Sequence, residues 1–186
     1  MLTLTKLDVT DNRIIEILSE NEGGNISPFD EIKVIYHLGV EQFILFNDFI
    51  CEGITALQNI LEKALSGELE IDEKYFQRGI GYEWNKISNA IADGDFDIVD
   101  TTIKYSLWST SDEYSTSTWM YSFNGDVYIE ISPQYKWNYC DPDEDERYMP
   151  FQDFQLNYRT YDRVKVVRDQ LTAWKMEVKK ISKKIK

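Results

Sequence analysis

The sequence predicts an α+β protein in which an antiparallel β-sheet of about five to six strands is packed by two main helices. Period-two apolar segments joined by short turns near 31–49 and 116–132 predict hairpins. Apolar residues at helical spacing over 53–66 and 161–185 predict the helices. The length of 186 residues and the apolar fraction of 42% predict one domain, 1–186, with a basic C-terminal helix.

The N-terminal quarter of the chain predicts strands. Residues 1–9 alternate well enough for one, and residues 11–18 allow either a short helix or a strand because their apolar positions fit both spacings. Residues 31–38 and 42–49 flank Gly39 at a short distance. They therefore predict an antiparallel hairpin.

The middle of the chain predicts two helices and a strand. The helix over 53–66 is followed by Gly67, which is placed to end it as a C-terminal cap. A shorter helix is predicted over 83–92, and a strand over 98–108. The long helix over 161–185 has apolar residues at alternating steps of three and four, and lysines in its last turn.

The strongest local pattern is the dipeptide Asn124-Gly125 between the apolar segments 116–123 and 126–131. Both residues tolerate the positive φ that a type I′ turn requires. A two-residue turn also fixes the register of the hairpin, because it determines which residues lie opposite each other. Paired residues share a face of the hairpin, and the two faces alternate along each strand.

This register gives the hairpin two unlike faces. One face is aliphatic and consists of Thr118, Met120, Ser122, Val127, Ile129 and Ile131. The other face combines rings with acids and consists of Trp119, Tyr121, Phe123, Asp126, Tyr128 and Glu130. The aromatic face either belongs to the core, covered by the helix over 53–66 or 161–185, or it faces solvent and binds a partner.

Charge is distributed unevenly along the chain. Residues 1–158 contain ten Lys and Arg against thirty Asp and Glu, whereas residues 159–186 contain ten against three. Phosphate backbones are repelled by so acidic a body, so we expect no nucleic-acid binding there. Opposite fields accelerate and orient association, and the body therefore favours a basic protein partner.

Few residue types in the chain suit catalysis or metal binding. His37 is the only histidine and lies in a predicted strand. Asp141, Asp143 and Asp145 form the start of a calcium-loop pattern, but Glu146 stands where that loop requires glycine. We therefore expect no enzymatic activity, no cofactor and no metal.

The N-terminal residues and the cysteines indicate the compartment. Residues 1–4 lack the basic and apolar regions of a signal peptide, and no apolar stretch is long enough to span a membrane. Cys51 and Cys140 belong to no CxxC pair. We expect a cytoplasmic protein with free thiols and no membrane association.

In size, acidity and the placement of Tyr and Trp beside carboxylates, the sequence resembles bacterial toxin-immunity proteins of the contact-dependent growth inhibition type. Such proteins share no single fold and no motif, so the resemblance carries over no residues. It implies a non-enzymatic protein that binds and neutralises a basic toxin domain, most simply a nuclease. An acid beside a ring would replace a phosphate and a stacked base, which predicts partner contacts by Trp119, Tyr121, Asp126, Tyr128, Glu130, Asp141, Asp143, Glu144 and Asp145.

Two alternatives remain open from the sequence. The aromatic hairpin face would also suit a carbohydrate- or small-ligand-binding domain, because rings stack on sugars. The acidic surface would also suit a DNA-mimic protein of a mobile element. Binding of a charged protein weakens as salt rises, whereas stacking on a neutral sugar does not.

Overall fold

The computed structural model describes residues 1–21, 25–110, 115–138, 142 and 147–185. Within these residues, eight strands form two antiparallel four-stranded sheets, with strand orders β1-β2-β3-β4 and β5-β6-β7-β8. The α+β class and the antiparallel pairing are confirmed. The strands are more numerous than the five to six expected, and they form two sheets instead of one.

The first sheet is a simple meander. Its strands are β1 (Leu2–Thr10), β2 (Arg13–Ser19), β3 (Glu31–Leu38) and β4 (Glu41–Phe49). The segment 11–18, which the sequence left open between helix and strand, therefore lies mostly in β2. Ile15, Ile17 and Ser19 are all buried, and this period-two burial explains why the segment is a strand.

Three helices follow the first sheet. They are α1 (Ile50–Ser66), α2 (Glu73–Arg78) and α3 (Ile80–Ala92). The helices expected over 53–66 and 83–92 are confirmed, and each begins three residues earlier. Gly67 ends α1 in the left-handed conformation, as its position predicts.

The second sheet contains the Asn-Gly hairpin. Its strands are β5 (Ser106–Ser109), β6 (Thr116–Phe123), β7 (Asp126–Pro133) and β8 (Asp162–Val166), and the helix α4 (Phe151–Asn157) precedes β8. The strand expected over 98–108 is wrong for most of its length, since only its last three residues lie in β5. Val99 and Ile103 are instead exposed to solvent.

The long helix expected over 161–185 is wrong in its first turns. Asp162–Val166 forms β8 along β7, and α5 (Arg168–Ser182) begins only after it. The apolar residues of this segment fit both spacings, and the unpaired edge of β7 provides backbone partners that a helix would not use. The helical pattern holds from Leu171 onward, where Trp174 and Val178 are also buried.

The two sheets share one buried core. Helix α1 packs against α5 and contacts both sheets, while α3 packs on β6 and β7. Asp162 of β8 also joins the sheets, because it accepts hydrogen bonds from Arg13 Nε at 2.7 Å and from the Tyr36 hydroxyl at 2.5 Å. Burial alone would raise the pKa of Asp162, but these hydrogen bonds bring it below its ordinary value. No helix in the described ranges is long and apolar enough to cross a membrane.

Candidate functional site

The hairpin has the register that its turn predicts. Phe123 lies opposite Asp126 and Trp119 lies opposite Glu130. Asn124 and Gly125 have φ angles of 53° and 80°, as a type I′ turn requires. The two strands therefore carry the aromatic and aliphatic faces that the sequence defines.

The aromatic face is covered by helices. Trp119, Tyr121 and Glu130 are buried, with 1%, 0% and 0% of their surface exposed. The ring of Trp84 in α3 lies 5.9 Å from that of Trp119, and the ring of Phe76 in α2 packs against Tyr121, Phe123 and Tyr128. The aromatic face therefore belongs to the core, which is one of the two interpretations that the sequence allowed. The helices that cover it are α2 and α3, whereas the sequence predicted the helix near 53–66 or 161–185.

Glu130 is the centre of a buried polar cluster beneath these helices. Its carboxylate accepts hydrogen bonds from the Tyr121 hydroxyl at 2.6 Å, the Gly81 backbone N–H at 2.9 Å and Arg163 Nε at 3.2 Å. Arg163 Nη2 lies 3.1 Å from the same carboxylate, and Nη1 donates to the Phe76 carbonyl at 2.6 Å. This one carboxylate therefore links α3, β6 and β8, and Arg163 extends the link to α2.

The cluster depends on close approach of the backbone. A Cβ added at Gly79 would lie 2.5 Å from Oε1 of Glu130, and the φ of this glycine is 98°. Burial raises the pKa of Glu130, and the charge of Arg163 opposes that rise by stabilising the carboxylate. Glu130 thus has a structural role that its position in the sequence did not reveal.

The segment that connects α1 to α2 lies beside the hairpin turn and carries accessible acids. Residues 68–73, which we call the acidic tip, contain Glu68, Glu70, Asp72 and Glu73, all exposed. Glu70 lies beside the turn because its carboxylate accepts a hydrogen bond from the Asn124 backbone N–H at 2.9 Å.

Two of the residues expected to contact a partner are partly accessible, and one of them, Asp126, lines a pocket together with Glu70. Asp126 and Tyr128 are half-buried, and Asp126 pairs with Lys165 at 2.7 Å. The other expected residues, Asp141, Asp143, Glu144 and Asp145, lie outside the described residues.

A second acidic stretch, which sequence reasoning missed, connects α3 to β5. Residues 93–103, which we call the acidic–apolar segment, contain four aspartates and no Lys or Arg. Phe96, Val99 and Ile103 are exposed by 83%, 77% and 63%. Exposed apolar patches can mark interaction sites, and three large apolar side chains are exposed within these eleven residues. The run of aspartates around Phe96 could have identified this segment from the sequence.

The acidic tip and the acidic–apolar segment adjoin each other. A shallow pocket of about 300 Å³ has Glu70 and Asp72 on one side and Thr101 and Thr102 on the other. The Tyr105 hydroxyl donates to the Glu70 carbonyl at 3.0 Å and holds the two regions together. The two regions together form an acidic surface, whose two ranges contain eight acids, and Lys104 also lines the pocket between them.

The described residues offer few groups for chemistry. His37 Nε2 lies 3.0 Å from the Glu16 carboxylate. Among the described residues, His37 has no hydrogen bond to a Ser, Thr or Cys side chain that could act as a nucleophile. No cluster of three or more His, Cys, Asp or Glu side chains suited to a metal ion occurs among the described residues. Cys51 is a free thiol, and Cys140 lies outside the described residues.

The fold and the surface together define an acidic α+β protein with two antiparallel sheets and an exposed surface of acids and apolar side chains. Its fold is similar to that in the crystal structure of CdiI from Burkholderia dolosa AUO158, with a TM-score of 0.51 and 13% sequence identity. The similarity covers 91% of this chain and 94% of that chain. No family model matches the sequence, and the search of curated proteins found no match.

Proposed function

We propose that the protein is an immunity protein that binds a toxin domain and blocks its activity without chemistry of its own. The observation that carries the proposal is the likeness in fold to CdiI, because it extends over 91% of this chain and 94% of that chain. Two chains that share an arrangement over nearly their whole length have the same elements available for a partner. The shared fold alone does not define the partner, so the surface chemistry must.

The acidic surface favours a toxin domain with a basic surface. Its eight acids outnumber Lys74 and Lys104, the two lysines that directly follow the two ranges, so a net negative charge remains. A toxin that cleaves nucleic acid must attract phosphate and therefore carries positive charge around its active site. A nuclease domain is the partner whose chemistry this surface matches best.

The acidic–apolar segment offers apolar side chains for an interface, in addition to charge. Interfaces derive much of their free energy from apolar side chains at the centre, whereas exposed charges mainly determine encounter rate and orientation. Phe96, Val99 and Ile103 are exposed among aspartates and provide such a centre. We propose that the toxin covers this segment and that the acidic tip contacts the rim of the same interface.

The residues that the sequence predicted as partner contacts have either a direct or an indirect role in this proposal. Asp126 and Tyr128 are partly exposed and remain candidates for direct contact, as do the acids of 141–146. Trp119, Tyr121 and Glu130 contribute indirectly, because they pack the hairpin against α2 and α3. The platform that a carbohydrate-binding function would need on this face is covered by the same helices.

The test measures binding of the purified protein to the toxin domain encoded directly upstream of its gene. Asp95→Lys with Asp97→Lys reverses two exposed charges in the acidic–apolar segment, and we expect affinity to fall at least about tenfold. The control, Glu31→Lys with Glu41→Lys, makes the same charge change at exposed positions of the first sheet and should alter affinity only about twofold. Affinity of the unaltered protein should also fall as salt rises from about 50 to 500 mM.

Three results would contradict the proposal. The upstream gene could encode no toxic protein, or the two proteins could fail to associate at micromolar concentration. Equal losses in the two double variants would show that net charge matters and the acidic–apolar segment does not. Binding to a DNA-binding protein from elsewhere in the genome, lost in the same variant, would instead support a DNA-mimic function.

A further inference from the structure

A cationic cleft lies on this acidic protein, on the side of the Glu130 cluster that faces solvent. The cleft has a volume of about 840 Å³ and is lined by Arg78 at the end of α2, Arg159 after α4 and Arg163 in β8. None of the described residues that line it is Asp or Glu. Elsewhere in residues 1–158, acids outnumber basic residues three to one. Arg78 belongs to this acidic part, whereas Arg159 and Arg163 belong to the basic segment 159–186, so the cleft forms where the two parts of the chain meet.

Two of the three arginines have no acidic partner among the described residues. Arg163 is paired with Glu130, so it contributes little net charge to the cleft. No ion pair of Arg78 or Arg159 occurs within the part of the chain that the structure describes. The cleft thus has a net charge near +2, which a dianion would balance.

The two free arginines are held in place by contacts that leave most of their donors available. Arg78 Nη1 donates to the Tyr82 hydroxyl at 2.7 Å, and its guanidinium lies 4.9 Å from the centre of the same ring. Arg159 Nη1 donates to the Tyr158 carbonyl at 2.7 Å. A guanidinium has five N–H donors in a fixed plane, and each of these two uses one. Because the planes are already held, binding of an oxyanion costs less conformational entropy.

The rest of the lining suits an organic molecule that carries the anionic group. The volume lies within the usual range for small-molecule sites. Tyr82 and Leu156 offer apolar surface, and the amides of Gln77, Gln152 and Gln155 offer both donors and acceptors. Arginine pairs bind phosphate through two parallel hydrogen bonds.

We propose that this cleft binds a small organic phosphate, with Arg78 and Arg159 on the phosphate group. A phosphate monoester carries between about 1.5 and 2 negative charges at neutral pH, which matches the two unpaired guanidinium groups. A single carboxylate would balance only one of them. The site is separate from the acidic surface proposed for toxin binding and does not depend on that proposal.

The test is calorimetric titration of the full chain with AMP, inorganic phosphate, citrate and adenosine as separate probes. We expect saturable binding of AMP, weaker binding of inorganic phosphate and none of adenosine below about 10 mM. The double variant Arg78→Gln with Arg159→Gln should weaken AMP binding at least about tenfold. Both side chains are exposed, and unchanged thermal unfolding would show that the variant is folded.

A matched control removes the same two charges outside the cleft. Lys179→Gln with Lys183→Gln, at exposed positions at the end of α5, should leave AMP binding unchanged. The proposal fails if neither AMP nor phosphate binds below about 10 mM, or if both double variants lose affinity equally. Equal binding of adenosine and AMP, or stronger binding of citrate than of AMP, would also overturn the assignment of phosphate.

Discussion

Removal of Arg163 tests whether the Glu130 cluster holds the hairpin to its covering helices. Arg163→Met keeps an unbranched side chain along the same path but removes the guanidinium. It leaves the Glu130 carboxylate fully buried, with the Tyr121 hydroxyl and the Gly81 N–H as its remaining donors among the described residues. The backbone carbonyl of Phe76 also loses its hydrogen bond from Arg163.

The expected loss follows from the burial of the two partners. Breaking a buried ion pair by removing one member costs about 3–5 kcal/mol, because the other charge is left without compensation. Glu130 has no exposed side-chain surface whereas Arg163 is 21% exposed, so the lower end applies and we expect about 3 kcal/mol at pH 7.5. In a chain of this length, 1 kcal/mol changes the thermal midpoint by about 2–4 °C, so the midpoint should fall by about 6–12 °C.

The loss should depend on pH in one direction. Arg163 opposes the rise that burial causes in the pKa of Glu130, so this pKa is higher still in the variant. A carboxyl whose pKa is raised by folding favours the folded state most below its unfolded pKa, and this stability is lost as pH rises toward the folded pKa. The cost of Arg163→Met should therefore be smaller at pH 5 than at pH 7.5.

Urea unfolding at the two pH values, followed by tryptophan fluorescence, measures this effect. The control is Lys165→Met on the same strand, whose pair with Asp126 is about half exposed on both sides. Exposed pairs contribute little, so this control should lose far less stability than Arg163→Met in the same urea titration. Equal losses in the two variants, or a cost of Arg163→Met that does not shrink at pH 5, would refute the role given to the cluster.

Two further predictions concern the turn and the junction of the sheets. Gly125→Ala should lower the free energy of unfolding by about 1 kcal/mol, because the φ of 80° at this position is strained for any residue with a Cβ. Urea titration measures the loss, and a loss no larger than that of Asn124→Gly would contradict this prediction. Asp162→Asn should be less stable than the parent at neutral pH, because Arg13 and Tyr36 hold the pKa of Asp162 below its ordinary value. This contribution is present above the unfolded pKa of about 3.9 and is lost as pH falls through the lower folded value. The difference in stability between parent and variant, followed by circular dichroism, should therefore begin to shrink only as pH falls below about 4.

The acidic–apolar segment shows why part of the candidate surface could not be predicted. The sequence predicted a strand over 98–108 because apolar residues recur there. Val99 and Ile103 are exposed instead, and only Ser106–Ser109 pairs with β6. Whether an apolar residue is covered depends on which elements reach it, and this is a property of the packed chain.

Local chemistry was enough to determine the hairpin. Asn124-Gly125 admits the positive φ of a type I′ turn, and a two-residue turn leaves one register for the flanking strands. The helix α1 and its end at Gly67 were equally local, because the apolar spacing and the left-handed cap lie within one segment. The division of charge between residues 1–158 and 159–186 is likewise fixed by composition alone.

The tertiary structure determined which strands and helices pack against these local elements. The segment near Val164 fits a helix or a strand by its own pattern, and the open edge of β7 made it a strand. The aromatic face of the hairpin could bind a partner or belong to the core, and α2 and α3 made it core. The geometry of a turn depends on the backbone angles of a few neighbouring residues, so the local sequence determines it. Burial and edge pairing depend on elements distant in sequence, so only the folded chain determines them.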